Sequence, residues 1–556
     1  MEKVIQYIKN LIAYNKLDDA ENLVFSLLKE NAKNSELFSI AGFLSYKREN
    51  FKDAKIYFEQ ALYYDLKNVD HYINLANVYI KTGNFKKALK ILRDGYKIAS
   101  VNSELLYLMA LVYQFVSDFD NAKVYYKKSI KADKANIQAL INLGVLYWEE
   151  GDIESAGKLF LEALKIEPNN LMVLSSLANV YIFENRYEEA KKLLYKAISL
   201  NKRFAKGWNT LGNLYDELND LKKAESCYLK AINIDSNLYS AKTNYSFVLL
   251  KKGDYEKGWK FYESRLYRGS HEKPLVVSFD KLLKRNIDFS KKVLYLYQEQ
   301  GYGDTLQFIR FLPFFKEKNV EIFVTVQKGL KKLLQQNYPY VSFVDEMDFD
   351  KFDYHMPITS SGYIFNIKRE NIPFKDSYLT VDKKESKLFV KNLIKDDTKT
   401  KIGIVWKSEI NKKMGLNALK DKKSKSIPLE IFMEIFKEFD CDLYSLQKGI
   451  TEKEKKILES NDVIVLESHI NDFYDTALIV NELDLIVSID TAMIHLSGAM
   501  GKPSVVILPF YCDWRWGIDE EISSWYNSVS IVRNRKIDDW RDIIKSASEH
   551  IKNRIF

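Results

Sequence analysis

Cysteine is nearly absent: Cys227, Cys441 and Cys512 are the only three in 556 residues, and they stand far apart. That spacing gives neither a disulfide framework nor a zinc site, and the three read as packing thiols. Long apolar runs are missing as well. No window of eighteen or more apolar residues occurs, so no membrane-spanning helix is expected. The opening Met1-Glu-Lys-Val-Ile-Gln-Tyr-Ile-Lys-Asn10 lacks the apolar core and small-residue cleavage site of a signal peptide, and the expected location is the cytoplasm. Runs of one charge are absent too: 84 Lys and Arg face 76 Asp and Glu, for a net charge of +8. So mixed a surface gives no indication of nucleic-acid binding, and its modest cationic excess reads as a solvated exterior. What is present, 46% hydrophobic residues at a mean hydropathy of −0.29, suits a globular chain long enough for several cores.

The first half repeats itself every 34 residues without slipping. A small residue recurs at Gly42, Ala76, Ala110, Gly144, Ala178 and Gly212, and an alanine at Ala54, Ala88, Ala122, Ala156, Ala190 and Ala224. Large apolar residues follow at Phe58, Leu92, Tyr126, Phe160, Leu194 and Tyr228. This resembles the tetratricopeptide pattern, in which small residues let two antiparallel helices approach and rings fill the gap. The best unit is Leu143-Gly144…Tyr147…Ala156…Phe160…Ala163…Pro168, and an atypical last one reads Gly253-Asp-Tyr-Glu-Lys-Gly258-Trp259-Lys-Phe-Tyr262. About eight units are expected over residues 1–272, with degenerate ends.

Asparagines recur on the helices expected to line the concave face of such an array. Asn74, Asn77, Asn142, Asn179, Asn213 and Asn244 fall at the sixth or ninth position of their units. The array of the O-linked N-acetylglucosamine transferases carries a similar ladder that holds extended polypeptide by its backbone. An amide offers a donor and an acceptor, which suits peptide groups. The alternative is a set of solvent-facing polar residues; coincidence of position across units favours the ladder.

Beyond residue 272 the period gives way to strands separated by helices. Lys292–Tyr297 reads as a short buried strand, followed by Gly301-Tyr-Gly303-Asp304-Thr305 and a helix through Phe315. Further strands are expected at Val320–Thr325, at an edge segment Asp353–Pro357, at Lys401–Trp406 and at Cys441–Leu446, with helices at 330–336 and 428–439. The most informative run is Leu483-Asp-Leu-Ile-Val-Ser-Ile-Asp490-Thr491-Ala-Met-Ile-His495-Leu-Ser-Gly498-Ala-Met-Gly501-Lys-Pro503-Ser-Val-Val-Ile-Leu508. A strand ends at Asp490, a helix opens there, and a second buried strand follows, as in a βαβ unit. Asp490 or Thr491 is the expected cap. The positive end of that helix, outside the carboxyl end of a parallel strand, is an anion site by geometry; an ordinary capped helix is the other reading.

Four stretches together resemble bacterial tetratricopeptide proteins that end in a heptosyltransferase-like glycosyltransferase domain. They are Gln298-Glu-Gln-Gly-Tyr-Gly303-Asp304-Thr305-Leu306-Gln-Phe-Ile-Arg310-Phe-Leu-Pro313, Ser445-Leu-Gln447-Lys448-Gly449, the run from Asp490 to Pro503, and Leu508-Pro-Phe-Tyr-Cys-Asp513-Trp514-Arg515-Trp516. The resemblance spans about residues 290–535 and implies an α-solenoid followed by an α/β GT-B fold of two Rossmann-like halves. The implied layout is a repeat superhelix at 1–272, a connector at 273–289, a first half at 290–385, a linker at 386–400, and a nucleotide-sugar-binding half at 401–556 ending in a helix.

The resemblance also assigns roles. Gly303-Asp304-Thr305-Leu306 with Pro313 corresponds to the family's Gly-Asp-x-Leu…Pro motif, whose aspartate is the proposed base; inverting sugar transfer needs a carboxylate to take the acceptor hydroxyl's proton. On residue type alone Asp304 is more often a helix cap. Gly303 and Thr305, on either side of it, are expected donor-site residues, and the glycine would let the backbone approach a sugar. Asp490, Thr491 and Ala492 open the helix that faces the leaving diphosphate, with His495 one turn on. Lys425-Ser426-Ile-Pro428 matches a basic-x-x-Pro signature, which makes Lys425 the phosphate cation, though among Lys420, Lys422 and Lys423 it also fits a solvated loop. Lys407 follows Trp406 where small residues are usual, and phosphate contact or a different donor both remain open. Gln447 and Lys448 suit the nucleotide base or a plain turn. Trp514 and Trp516 could stack on a ring while Arg515 meets an anion, or could hold a loop to the core. Asp348-x-Asp350 and Asp440-x-Asp442 do not follow strands as a metal motif would, so no metal and no cofactor beyond the nucleotide-sugar co-substrate are expected.

The implied activity is sugar transfer from a nucleotide-sugar to a hydroxyl of a polypeptide held by the array, flagellin or another surface protein being the implied acceptors. Two alternatives are a heptosyltransferase-like enzyme acting on a lipid-linked or lipopolysaccharide acceptor, and a tetratricopeptide scaffold with an inactive transferase domain.

Overall fold

Why each 34-residue period folds as two helices is visible in its caps and its rings. In the computed structural model, which describes residues 1–267, 278–395, 398–408, 425–536 and 540–555, the periods form sixteen helices among the described residues, from Glu2–Ala13 to Tyr255–Tyr262. Lys420, Lys422 and Lys423 lie outside the described residues, as do parts of the 273–289 connector and the 386–400 linker. A second asparagine series, Asn34, Asn68, Asn102, Asn136 and Asn170, steps by one period and caps the first helix of five consecutive units, accepting from backbone N–H groups at 2.9–3.1 Å. The small residues admit their own unit's ring: a Cβ on Gly42, Gly144 or Gly212 would lie 2.7, 2.7 or 2.5 Å from Phe58, Phe160 or Tyr228. Cys227 and Cys512 are buried, and all three cysteines are free thiols.

Residues Met1–Val180 make one compact unit, and the helices from Tyr187–Leu200 onward belong with the α/β part in the other. The last helix, Tyr255–Tyr262, is the reason. Its Tyr255, Trp259 and Tyr262, with Leu266 of the following 3-10 turn Glu263–Tyr267, share one hydrophobic cluster with Leu294, Leu296, Phe308, Trp514 and Trp525. Trp259 donates its indole N–H to the Ile367 carbonyl (2.9 Å), and a Cβ on Gly362 would lie 2.6 Å from that indole.

The α/β part holds two all-parallel sheets. The first comprises β1 (Val293–Tyr297), β2 (Glu321–Thr325), β3 (Ser342–Phe343) and β4 (Tyr354–Pro357) in the order β3-β2-β1-β4. The second comprises β5 (Thr400–Val405), β6 (Cys441–Ser445), β7 (Ile464–Val465), β8 (Leu485–Ile489), β9 (Ser504–Leu508) and β10 (Val529–Arg533) in the order β10-β9-β8-β5-β6-β7. In the second sheet the strand order is that of the dinucleotide-binding fold, and the first repeats its first four strands. The order reverses direction between β5 and β8, and between β1 and β4, the places where sheets of this kind bind ligands at their carboxyl ends.

Two helices are shorter than the sequence pattern predicts. The helix expected through Phe315 is broken into Tyr302–Phe308, a 3-10 turn Ile309–Phe311 and Leu312–Lys316, because Pro313 has no N–H to continue the ladder. The one expected over 428–439 is Leu429–Met433 with a 3-10 turn Glu434–Phe436. The chain does end in a helix, Arg541–Ile555. No described helix is long and apolar enough to cross a membrane.

Candidate active site

The helix Tyr302–Phe308 leaves the carboxyl end of β1, and Ala492–Ala499 leaves that of β8. They meet side by side. Gly303 is where they touch: a Cβ there would sit 2.6 Å from Cδ2 of His495. The glycine therefore serves close approach of the two halves.

Asp304 does two things. Its Oδ2 accepts from the Gly301 N–H at 3.0 Å, so Asp304 is not the N-cap its residue type suggests but the third helical residue, reaching back to the N-cap Gly301. Its Oδ1 is paired with Nη2 of Arg515, which comes from the 3-10 turn Trp514–Trp516 after β9. Arg515 also donates from Nε to Gln307 and from Nη1 to Asp513 at 2.7 Å. Burial pushes the Asp304 carboxyl above its ordinary range, against the pull of Arg515. Burial also disfavours the guanidinium charge, but Asp304 and Asp513 more than offset it and keep Arg515 cationic.

A second cation–carboxylate pair lies beside the first. Lys425 Nζ is 3.1 Å from Oδ2 of Asp490, whose side chain is 6% exposed. Burial raises Asp490, yet Lys425, with His495 and Arg515, outweighs it and holds the carboxyl below the usual range. Asp490 is thus spent on Lys425 and does not cap the following helix. Thr491 occupies the N-cap position without a side-chain cap; its hydroxyl is 3.2 Å from that of Ser488. The helix therefore opens at the partly exposed Ala492 with no side-chain cap on its first N–H groups. His495, one turn on, is buried, stacks on Trp516 and hydrogen-bonds Tyr526 through Nδ1 (2.9 Å). Burial, then Arg515, push it down to about 3, so it stands neutral, and its Nε2 lies 3.9 Å from Asp490.

Asp304, Gly303, Lys425, Asp490, Thr491, Ala492 and His495 thus converge. Four other expected ligand residues are engaged by neighbouring parts of the α/β region. Thr305 is buried and donates to Gln327 (2.9 Å). Lys407 bonds Glu454 (2.5 Å) and the Gly449 carbonyl (2.7 Å), and burial of Glu454 is outweighed by its bonds from Lys407, Thr451 and Trp406, which together take the carboxyl to about 2. Lys448 donates to the carbonyls of Glu467 and Ile470, and Gln447 accepts from the Lys407 N–H. These contacts hold Lys407 and residues 447–449, just beyond β5 and β6, in place. Trp514 meets Trp259 edge-on at 5.4 Å and Trp516 is buried, so both hold the loop to the core while Arg515 faces the site. Asp348 pairs with Lys351, Asp440 with Lys399 and Asp442 with Lys395.

The crevice of the first sheet is filled from the array. Arg265 donates to Glu299 (2.6 Å), Glu263 (2.7 Å), Thr359 (2.9 Å) and Ser360 (2.8 Å), closing the gap between the ends of β1 and β4. Glu299 lies five residues before Asp304.

The asparagines of the array are all half-buried. Those at the sixth position reach back to the fifth position of the preceding unit: Asn74 to Ser39, Asn142 to Tyr107 and Asn244 to Asn209, at 3.2–3.4 Å. Asn213 accepts from Tyr228 and Asn244. Part of their hydrogen-bonding capacity thus joins neighbouring repeats. Asn77 and Asn179 occupy the ninth position on the same helices.

Tetratricopeptide repeat family models match residues 45–112, 117–180, 173–204 and 205–238, and the chain carries these repeats. Protein FlbA of Caulobacter vibrioides is 23% identical over 320 residues, 53% of this chain and 52% of that protein. The chain therefore spans about half the length of the curated relative it matches. Among solved structures, a tetratricopeptide repeat protein from Parabacteroides merdae is 18% identical with a TM-score of 0.37, covering 45% of this chain and 98% of the other. YrrB, described as a TPR protein with an unusual peptide-binding site, is 18% identical with a TM-score of 0.28 over 33% of this chain and 95% of its own. These likenesses concern the helical-repeat fold alone.

Proposed function

We propose that this chain is a metal-independent, inverting glycosyltransferase of the GT-B type, moving a sugar from a nucleotide-sugar donor to a hydroxyl of a protein acceptor held by the repeats. The observation that carries the reading is the convergence of Asp304, Arg515 and the Lys425–Asp490 pair at the uncapped start of Ala492–Ala499. In the reaction the acceptor oxygen attacks the anomeric carbon and its proton passes to Asp304. The bond to the nucleoside diphosphate breaks with its electron pair on the phosphate oxygen. Lys425, Arg515 and the helix dipole then stabilise that charge. A carboxyl raised by burial suits a proton acceptor near neutrality. Neutral His495 adds no competing charge.

A protein acceptor is supported by the last repeats, which belong to the same compact unit as Asp304 and include Asn213 and Asn244. The test is sugar incorporation into polypeptide by the full chain, with a panel of labelled nucleotide-sugars and an extract of surface proteins. Asp304→Asn should lower it roughly 10²–10⁴-fold. Equal turnover would remove Asp304 as base, and label appearing in lipid instead of polypeptide would overturn the acceptor assignment.

A further inference from the structure

Both cations of the site are held by the carboxylates beside them, and for Asp304 this has a chemical consequence. Oδ1 is engaged by Arg515 and Oδ2 by the Gly301 N–H, and the pair with Arg515 favours the ionised form, so Asp304 is the weaker base while that pair is intact. The Arg515 side chain is 9% exposed, and its contacts to Asp304, Gln307 and Asp513 use each of its three nitrogens. Breaking such a pair without replacing the lost charge is strongly unfavourable in a buried setting. A diphosphate supplies the replacement. It carries two or more negative charges, its oxygens match the guanidinium fork, and the uncapped helix start and Lys425 lie at hand to bind the rest of it.

We propose that Arg515 is an exchange residue: in the donor-free protein it occupies Asp304, and the diphosphate of the nucleotide donor draws it away, so the base is released only when donor is bound. The proposal rests on the glycosyltransferase reading of this crevice and adds an order to it, donor before proton transfer. It also assigns a binding role to Arg515, which comes from a loop 211 residues after Asp304. Lys425 is held by Asp490 in the same way, and each pair lies within the field of the other: Arg515 acts on Asp490 and Lys425 on Asp304.

The test is calorimetric titration of the full chain with UDP, GDP, ADP, CDP and inorganic pyrophosphate, in wild type, Asp304→Asn and Arg515→Lys. In the wild type only the fraction with Arg515 released binds well, so Asp304→Asn should tighten the best probe by roughly tenfold while Arg515→Lys weakens it. A variant that merely loses structure would weaken binding, so the two opposite directions cannot both come from misfolding. If Asp304→Asn fails to fold, the wild type with isotope-labelled arginine gives the same answer: the Arg515 side-chain resonance should move when the best probe saturates, and an unmoved resonance overturns the proposal. Unchanged or weaker affinity in folded Asp304→Asn also overturns it. Should Lys425→Ala abolish binding in that case, the anion site stands and the exchange alone falls. Absence of binding by every probe to every protein removes both.

Discussion

The repeat at 137–166 and the repeat at 239–262 follow the same pattern and finish in different cores. In the first, Phe160 enters the space left by Gly144 of its own unit, and Ala156 and Ala163 are buried between the helices. In the last, the alanine position is Gly258, against which Leu250 lies so close that a Cβ would meet it at 2.6 Å. Its neighbour Trp259 turns to Gly362 and the Ile367 carbonyl, 108 residues away. The same helix-pair geometry serves a self-contained repeat in one place and a structural member of the α/β core in the other. A fragment ending at residue 272 would therefore carry Tyr255, Trp259 and Tyr262 stripped of their partners, and acceptor capture belongs on the full chain.

Trp259→Ala should give the largest effect, costing about 3–5 kcal/mol by opening a cavity in a shared core. Loss of diphosphate binding should accompany the loss of stability, both read in urea with the probe present and absent. Phe160→Ala should cost a comparable amount and leave probe binding intact. A Trp259→Ala chain that binds normally would show the last repeat to be separable.

Arg265→Ala tests the charged half of the same junction. Removing a guanidinium that is 5% exposed leaves Glu263 and Glu299 buried and unpaired, at a cost of about 3–5 kcal/mol. Burial already raises Glu263, with Arg265 pulling the other way. Without Arg265 its folded value rises further above the unfolded one, so stability should be retained at acid pH and lost as pH climbs through the raised value. Urea midpoints at acid and neutral pH check the sign; a loss independent of pH would mean that Glu263 is not the group left stranded.

Asn142→Ala should have the smallest effect, about 1 kcal/mol from its bonds to Tyr107 and Tyr126. Polypeptide capture should also fall if the amide faces the acceptor as well as its neighbours. A stability change alone would leave Asn142 a joint between repeats.

Where contacts are local, the sequence is easily read. The 34-residue step predicts eight helix pairs, and the long strands and the βαβ run from β8 to β9 lie within a residue or two of their expected bounds. Gly501, at φ +69°, makes the turn that its position implies. Two-residue strands such as Ser342–Phe343 and Ile464–Val465 carry no alternation to detect. At the site, spacing and resemblance point to Asp304, Lys425, Asp490, Thr491 and His495, and the fold brings them together. Lys407 and Lys448 share the residue type and the strand-end position, yet their ammonium groups are consumed by Glu454 and by backbone carbonyls. Whether a lysine is tied to a turn or, like Lys425, to Asp490 at the start of Ala492–Ala499 depends on those distant partners. Arg515 is visible within the Asp513–Trp516 segment, but its pairing with Asp304 spans 211 residues and has no periodic trace. The asparagines show the same limit: one series at period 34 caps helices, another joins repeats, and residue type cannot separate them.

A crystal structure of the full chain with the tightest-binding nucleoside diphosphate decides whether this crevice is the donor site. Phosphate oxygens should lie within hydrogen-bond distance of the first N–H groups of Ala492–Ala499 and of Lys425, with Asp304 facing the anomeric position. A nucleotide bound elsewhere, or one whose phosphates point away from that helix, would be incompatible with the proposed chemistry.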